Sequence, residues 1–262
     1  MSIKKDEQSR VVAIIPARYG SNRFAGKPLA DIAGKPMIQH VYERAQRVAL
    51  LSRVAVATDD ERIASCVMEF GGEVVMTRSD HVSGTDRLAE AAEKMGIAEQ
   101  DVVVNIQGDQ PLFDQEVVEQ VARPLLEDLS LPMATLIYKI VRDEEIHDPN
   151  HVKTVFDRHG MALYFSRSPI PFQRNPEEPV PPTYYKHLGF YAYRKGFLLT
   201  FVGLPEGEWE RFEKLEQLRA LEFGYQIKVV LTEHDSIEVD TPKDLERVVE
   251  MIHAEQGQSR QV

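Results

Sequence analysis

In the first half of the chain, short apolar runs alternate with stretches of helical period. Residues 11–15 are uniformly apolar and are closed by Pro16, the pattern of a strand buried on both faces. Met37, Ile38, Val41, Tyr42, Ala45 and Val48 recur with helical spacing. The pattern predicts further strands over 53–57, 73–76 and 101–106, and helices over 60–70, 84–95 and 114–126. Thr58-Asp59-Asp60 ends the second strand and is suited to cap the helix that follows. A β-α-β-α order of this kind implies a mostly parallel sheet with helices on both faces.

The second half changes texture. Strand patterns at 133–141, 152–156, 161–165 and 184–193 follow one another with little helix between them. Residues 173–182 (QRNPEEPVPP) are too rich in proline for either regular structure. A helix is predicted over 209–224, with Gly224 as its stop, then a strand over 226–231. Thr241-Pro242 opens the last helix. The simplest layout is one α/β domain: a first part over 11–130, a strand-rich antiparallel insertion over 131–195, and a return to the main domain over 196–255.

Composition narrows the class. With 262 residues and 43% hydrophobic content, the chain can bury a sizeable core. A net charge of -11 argues against nucleic-acid and membrane partners, yet a local basic loop can still take a nucleotide. The single cysteine, Cys66, cannot form an internal disulfide, which fits a reducing cytoplasm. No apolar run approaches a membrane span, and the polar start of the chain does not read as a signal peptide. The histidines show no metal-ligand spacing, so no zinc site is expected.

Three segments carry candidate chemistry. Residues 16–29 (PARYGSNRFAGKPL) directly follow the first strand, where open parallel sheets bind ligands. Arg18, Arg23 and Lys27 with Gly20 and Gly26 offer cations and backbone N–H groups to a polyphosphate. The spacing is not that of a P-loop, and the plain alternative is a polar β-α loop. The second segment, NIQGDQP at 105–111, sets Asp109 just past a buried strand. That placement suits Mg²⁺, although Gly-Asp is also common turn chemistry. The third, IEVDTP at 237–242, sets Asp240 at a helix start, where capping is the plain alternative. Asp109, Asp240 and the basic loop together describe a metal-triphosphate site.

PARYGSNRFAGKPL, ATDDERI, SGTDR, NIQGDQP, ALYFSR, KHLGFYAYR, KLEQLRALE and VDTP occur in that order. As an ordered set spanning roughly residues 11–249, they resemble the 3-deoxy-manno-octulosonate (Kdo) cytidylyltransferases, or CMP-Kdo synthetases. The resemblance implies a Rossmann-like nucleotide-diphospho-sugar transferase fold with a β-rich dimerisation extension, CTP and a Kdo-type sugar acid as substrates, and a homodimer. It implies that Arg18, Arg23 and Lys27 hold the triphosphate, that Ser83, Gly84 and Thr85 lie by the nucleoside, and that Asp109 and Asp240 bind Mg²⁺. Lys27, Asp109 and Asp240 are then the catalytic set. Gln107, Arg167, His187, Tyr191, Glu216 and Gln217 would meet the sugar acid, with Arg167 suited to its carboxylate. Four of them have a plain alternative: a satisfied core histidine for His187, strand packing for Tyr191, a solvated helix face for Glu216 and Gln217.

One position departs from the family pattern. Gln110 stands where most such enzymes carry Glu, and Gly-Asp-Gln-Pro resembles the branch that activates 8-amino-3,8-dideoxy-manno-octulosonate. Another sugar acid is a further alternative, and a non-catalytic nucleotide-binding subunit is the rival from outside the enzymes. Such a subunit would have no need for the paired aspartates, Lys27 and a sugar-side arginine at once.

Overall fold

A computed structural model describes residues 9–20, 24–175 and 177–259. Strand β1 (Val11–Ala17) leads through a short 3-10 turn (Lys27–Leu29) to a small hairpin, β2 (Asp31–Ile32) and β3 (Lys35–Pro36). Then come α1 (Met37–Gln46), β4 (Leu51–Thr58), α2 (Glu61–Glu69), β5 (Val74–Met76), α3 (Gly84–Lys94), β6 (Val102–Asn105) and α4 (Gln115–Glu127). The second half holds β7 (Met133–Lys139), α5 (Glu144–His147), β8 (Lys153–Phe156), β9 (Ala162–Ser166), β10 (Tyr185–Arg194) and α6 (Lys195–Val202). It closes with α7 (Glu208–Glu213), α8 (Leu218–Glu222), β11 (Ile227–Thr232) and α9 (Pro242–Ser259).

The central sheet runs β11-β7-β10-β6-β1-β4-β5. All its pairings are parallel except those of β10, which lies antiparallel between β6 and β7. Alternate residues of β1 face opposite layers, as the two-residue period of a strand requires. Val11, Ala13 and Ile15 pack with Ile38 and Val41 of α1, Ile63 and Val67 of α2, and Val117 and Val121 of α4. Val12 and Ile14 pack with Leu88 and Ala92 of α3 and with Leu198 and Phe201 of α6. The apolar run at 11–15 therefore fills two cores at once.

The second half is less separate from the sheet than its sequence texture implies. Strands β7 and β10 stand inside the central sheet, and only the β8-β9 hairpin leaves it, attached through β10. The helix expected over 209–224 is two helices, α7 and α8. Lys214 breaks it by adopting left-handed backbone, φ 52°, which no α-helix continues through. Helix α6 was not expected: KGFLLTFV is apolar almost all round, so it shows no helical period.

Candidate active site

The carboxyl ends of β1 and β6 and the start of α3 enclose a cavity of about 310 Å³. Arg18, Lys27, Ser83, Gly84, Gln107, Asp109 and Asp240 all line it. Three sequence segments predicted separately are thus one site. Gly108 allows a close approach: a Cβ there would meet the Pro16 carbonyl oxygen at 3.1 Å, so a side chain would push the β6 loop and the end of β1 slightly apart. Arg23 lies outside the described residues. At the opposite wall Ser83 caps α3, its hydroxyl accepting from Asp86 N–H at 3.1 Å, which turns the helix N-terminus toward the cavity. Backbone N–H groups there favour an anion.

On the cavity floor the Lys27 ammonium donates to Asp109 at 2.8 Å and to Asp240 at 3.1 Å. Burial would lower the Lys27 pKa, but the attraction and hydrogen bonds of the two carboxylates outweigh it and hold the ammonium above its ordinary range. Asp240 does not cap the last helix. Thr241 does, exchanging hydrogen bonds with Asp244: Thr241 N–H to the carboxylate at 2.8 Å, and Asp244 N–H to the Thr241 hydroxyl at 3.3 Å. The Asp240 carboxylate is directed instead at the cation shared with Asp109. A peptide hydrogen bond from Val239 to the Asp109 carbonyl, 2.9 Å, fixes the two segments together. Two oxygen donors converging on one positive charge fit a hard divalent ion that completes its shell with phosphate and water. Among the described residues no cluster of three or more His, Cys, Asp or Glu forms a fuller metal cage.

Beyond this floor the sheet itself is deformed. In β10, His187 stands opposite Ile137 but Tyr191 stands opposite Thr135, so four residues are spanned against two. Gly189 takes φ 73° within this bulge, a conformation that favours glycine. Gln107 donates to the Gly189 carbonyl at 3.1 Å. His187 bonds through Nε2 to the Thr135 hydroxyl at 2.8 Å, and its ring lies between those of Phe165 and Tyr191. The Thr135 hydroxyl has one proton, and it goes to the Phe190 carbonyl at 2.6 Å. His187 must therefore be the donor at Nε2, which leaves Nδ1 as an acceptor. Burial pulls its pKa down to about 4, so the ring is neutral near pH 7.

Glu216 is tied to the start of α3, outside the residues that line the cavity. Its carboxylate accepts from the Thr85 hydroxyl at the start of α3, and burial raises its pKa against the hydrogen bonds from Thr85 and Ser83. Thr85 is itself buried and bridges α3 to this turn. Gln217 is buried, with its side-chain nitrogen lacking a hydrogen-bond partner. Arg167 is engaged by the backbone: Nε donates to the Glu213 carbonyl at 2.6 Å, Nη1 to Pro149 at 2.9 Å and Nη2 to Lys214 at 3.3 Å. It holds the left-handed break that places Glu216.

Two further side chains line the cavity that the sequence did not single out for a site. Arg87 is buried and pairs with Asp59 at 3.1 Å, and His81 contacts the Glu90 carboxylate. Burial would raise the Glu90 pKa; hydrogen bonds from Lys94, the Arg78 N–H and His81 overcome this and bring it down to about 2. The available signal was position: both flank the Ser83 cap, in the segment HVSGTDR.

Residues 12–233 match the cytidylyltransferase family model. The chain is 60% identical over 243 residues to the 3-deoxy-manno-octulosonate cytidylyltransferase of Syntrophus aciditrophicus, covering 93% of this chain and 97% of that one. It is 56% identical over 240 residues to the 8-amino-3,8-dideoxy-manno-octulosonate cytidylyltransferase of Shewanella oneidensis, covering 90% and 96%. A solved CMP:2-keto-3-deoxy-manno-octonic acid synthetase complexed with CTP superposes with a TM-score of 0.88 at 47% identity, covering 94% of this chain and all of the other. With its paired aspartates, basic loop and β10 bulge arranged on that fold, the chain belongs to the cytidylyltransferase family, among the 3-deoxy-manno-octulosonate cytidylyltransferases.

Proposed function

We propose that the protein transfers the cytidylyl group of CTP to Kdo, giving CMP-Kdo and diphosphate. The observation that carries this reading is the shared contact of Lys27 with Asp109 and Asp240 on the floor of a cavity walled by a helix N-terminus. In the reaction the anomeric 2-hydroxyl of the sugar attacks the α-phosphorus, a new P–O bond forms, and the bond to the β-phosphate oxygen breaks. Such transfers depend on positioning and charge neutralisation rather than on a protein nucleophile.

Arg18 and the N–H groups at the start of α3 bind the phosphates. Lys27 neutralises charge developing on the α-phosphate. Asp109 and Asp240 would hold Mg²⁺, which when bound supplies Lewis acidity toward the phosphate oxygens and the attacking hydroxyl. Lys27 has then to exchange its carboxylate contacts for phosphate contacts. The neutral His187, Tyr191 and Gln107 orient the sugar acid from the β10 side, with Glu216 and Gln217 on the opposite wall. The product fits a cytoplasmic step that supplies activated Kdo for bacterial lipopolysaccharide. The protein acts as a homodimer through the strands of residues 133–193, where Leu163 of β9 is 61% exposed.

A second acceptor is favoured by one observation: Gly-Asp-Gln-Pro at 108–111 together with 56% identity to an enzyme named for the 8-amino sugar. A pyrophosphate-release assay with CTP, ATP and UTP against Kdo, its 8-amino analogue, a sialic acid and a polyol phosphate tests both. Release is expected only with CTP and a Kdo-type acid. Equal release with ATP, or with the phosphorylated acceptor, would refute the reading.

A further inference from the structure

The bulge of β10 is held by its carbonyls, two bound by side chains of the loop after β6 and one by a side chain of β7. Gly189 accepts from Gln107 at 3.1 Å, Phe190 from Thr135 at 2.6 Å, and Leu188 from Gln110 at 3.3 Å. Gln110 is fully buried. Its amide nitrogen also donates to the Glu238 carboxylate at 3.0 Å. The Leu188 carbonyl can only accept, so the amide nitrogen rather than the oxygen faces it. Both donors are used, while Oε1 has no partner. A buried amide that leaves its oxygen unsatisfied is kept for its N–H groups, because an apolar side chain of that volume would avoid the desolvation cost. Glu238 reaches the same place from the strand-like segment before Asp240, and a Cβ on Gly189 would lie 3.8 Å from its carboxylate.

We infer that Gln110 is a positioning residue for the sugar-acid side of the site, and that residues 110 and 238 act as one coupled pair requiring one amide and one carboxylate. Gln110 fixes the bulge between His187 and Tyr191, and so the direction in which both side chains project. A glutamate at 110 would offer no N–H to the Leu188 carbonyl and would set a second carboxyl group against Glu238. A glutamine at 238 would return one donor to that contact. This inference rests on the proposed acceptor reaction for its kinetic arm and on the unliganded protein for its other arm.

The test compares Gln110→Glu, Gln110→Met, Glu238→Gln and the double variant Gln110→Glu/Glu238→Gln, as full-length protein. Gln110→Glu is expected to raise KM for the sugar acid about tenfold or more, with CTP affinity by titration calorimetry held within about threefold. Glu238→Gln is expected to stay within about threefold, and the double variant to regain at least about half of the logarithmic loss. Gln110→Met removes both donors without adding charge, and carries the test if Gln110→Glu does not fold. It is expected to raise KM about three- to tenfold. The second arm is ¹⁵N NMR of the His187 ring without substrate: the wild type shows the Nε2–H tautomer, and Gln110→Met shifts its signals. Wild-type protein inactive on every sugar acid refutes the proposed reaction, and the NMR arm then decides the positioning claim by itself. The inference is overturned if Gln110→Met leaves both KM and the His187 signals unchanged, or if the double variant is no better than Gln110→Glu.

Discussion

The two walls of the site are built by opposite means. The wall proposed to hold the nucleotide is drawn from near-neighbours in sequence: Arg18 and Lys27 follow β1, and His81, Ser83 and Gly84 stand together at the start of α3. The part proposed to meet the sugar acid is assembled at long range. Gln110 meets Leu188 and Glu238, Thr135 meets His187 and Phe190, and Arg167 meets the carbonyls of 213 and 214. The nucleotide wall is cationic and cleft-facing. The sugar-acid side is aromatic around His187, whose ring is uncharged near pH 7.

The largest effect is expected at the floor that both walls share. Asp109→Asn and Asp240→Asn should each lower kcat by about 10²-fold or more with the fold intact, as read by turnover and thermal unfolding across a Mg²⁺ titration. Because Thr241 rather than Asp240 caps α9, the loss at Asp240 cannot be a capping effect. Near-wild-type turnover for Asp240→Asn would leave Asp109 as the sole protein carboxylate of the site.

On the sugar-acid wall, Arg167→Ala should cost about 1–3 kcal/mol of stability by denaturant unfolding, since several carbonyls lose their donor. KM for the sugar acid should rise with it, and CTP affinity should not change. A parallel loss of CTP affinity would erase the proposed separation of the walls.

Thr241→Ala sharpens the floor from the other direction. It should cost about 1 kcal/mol of stability as a lost cap and leave turnover close to wild type. A turnover loss matching that of Asp240→Asn would make the helix start, not the carboxylate, the functional element.

The smallest effect is on the nucleotide wall and depends on pH. Glu90 titrates at about 2 in the folded protein, below its ordinary value of 4.5. A depressed carboxylate stabilises the fold above the unfolded pKa, and that stability is lost as pH falls through the folded one. Glu90→Gln should therefore lower the unfolding temperature at pH 7, with the difference from wild type shrinking between about pH 4.5 and 2. A difference independent of pH would mean that Glu90 acts by packing alone.

The same contrast explains what could be read from the chain. The strand at 11–15, the helix after Gly84 and the basic segment holding Lys27 were legible because each is a contiguous pattern. Capping stood as the plain alternative for Asp240, although Thr241 followed three residues later by Asp244 is the capping-box pattern that forms. Gly189 inside a strand pattern is a bulge signal that was present and unused. The break at Lys214 had no local signal, since lysine does not favour left-handed backbone; its carbonyl accepts from Arg167, a residue distant in sequence. The commitment of Arg167 to those carbonyls, like the pairing of Gln110 with Glu238, exists only once distant segments have packed.

The central claim is that this site joins CMP to a Kdo-type acid. The most direct measurement is ³¹P NMR of the protein with CTP, Mg²⁺ and Kdo or its 8-amino analogue. The account predicts a phosphodiester signal of the CMP-sugar appearing in equal amount with diphosphate, and neither signal when the sugar acid is left out. Diphosphate appearing with free CMP, or CTP remaining intact with both sugar acids, would contradict it.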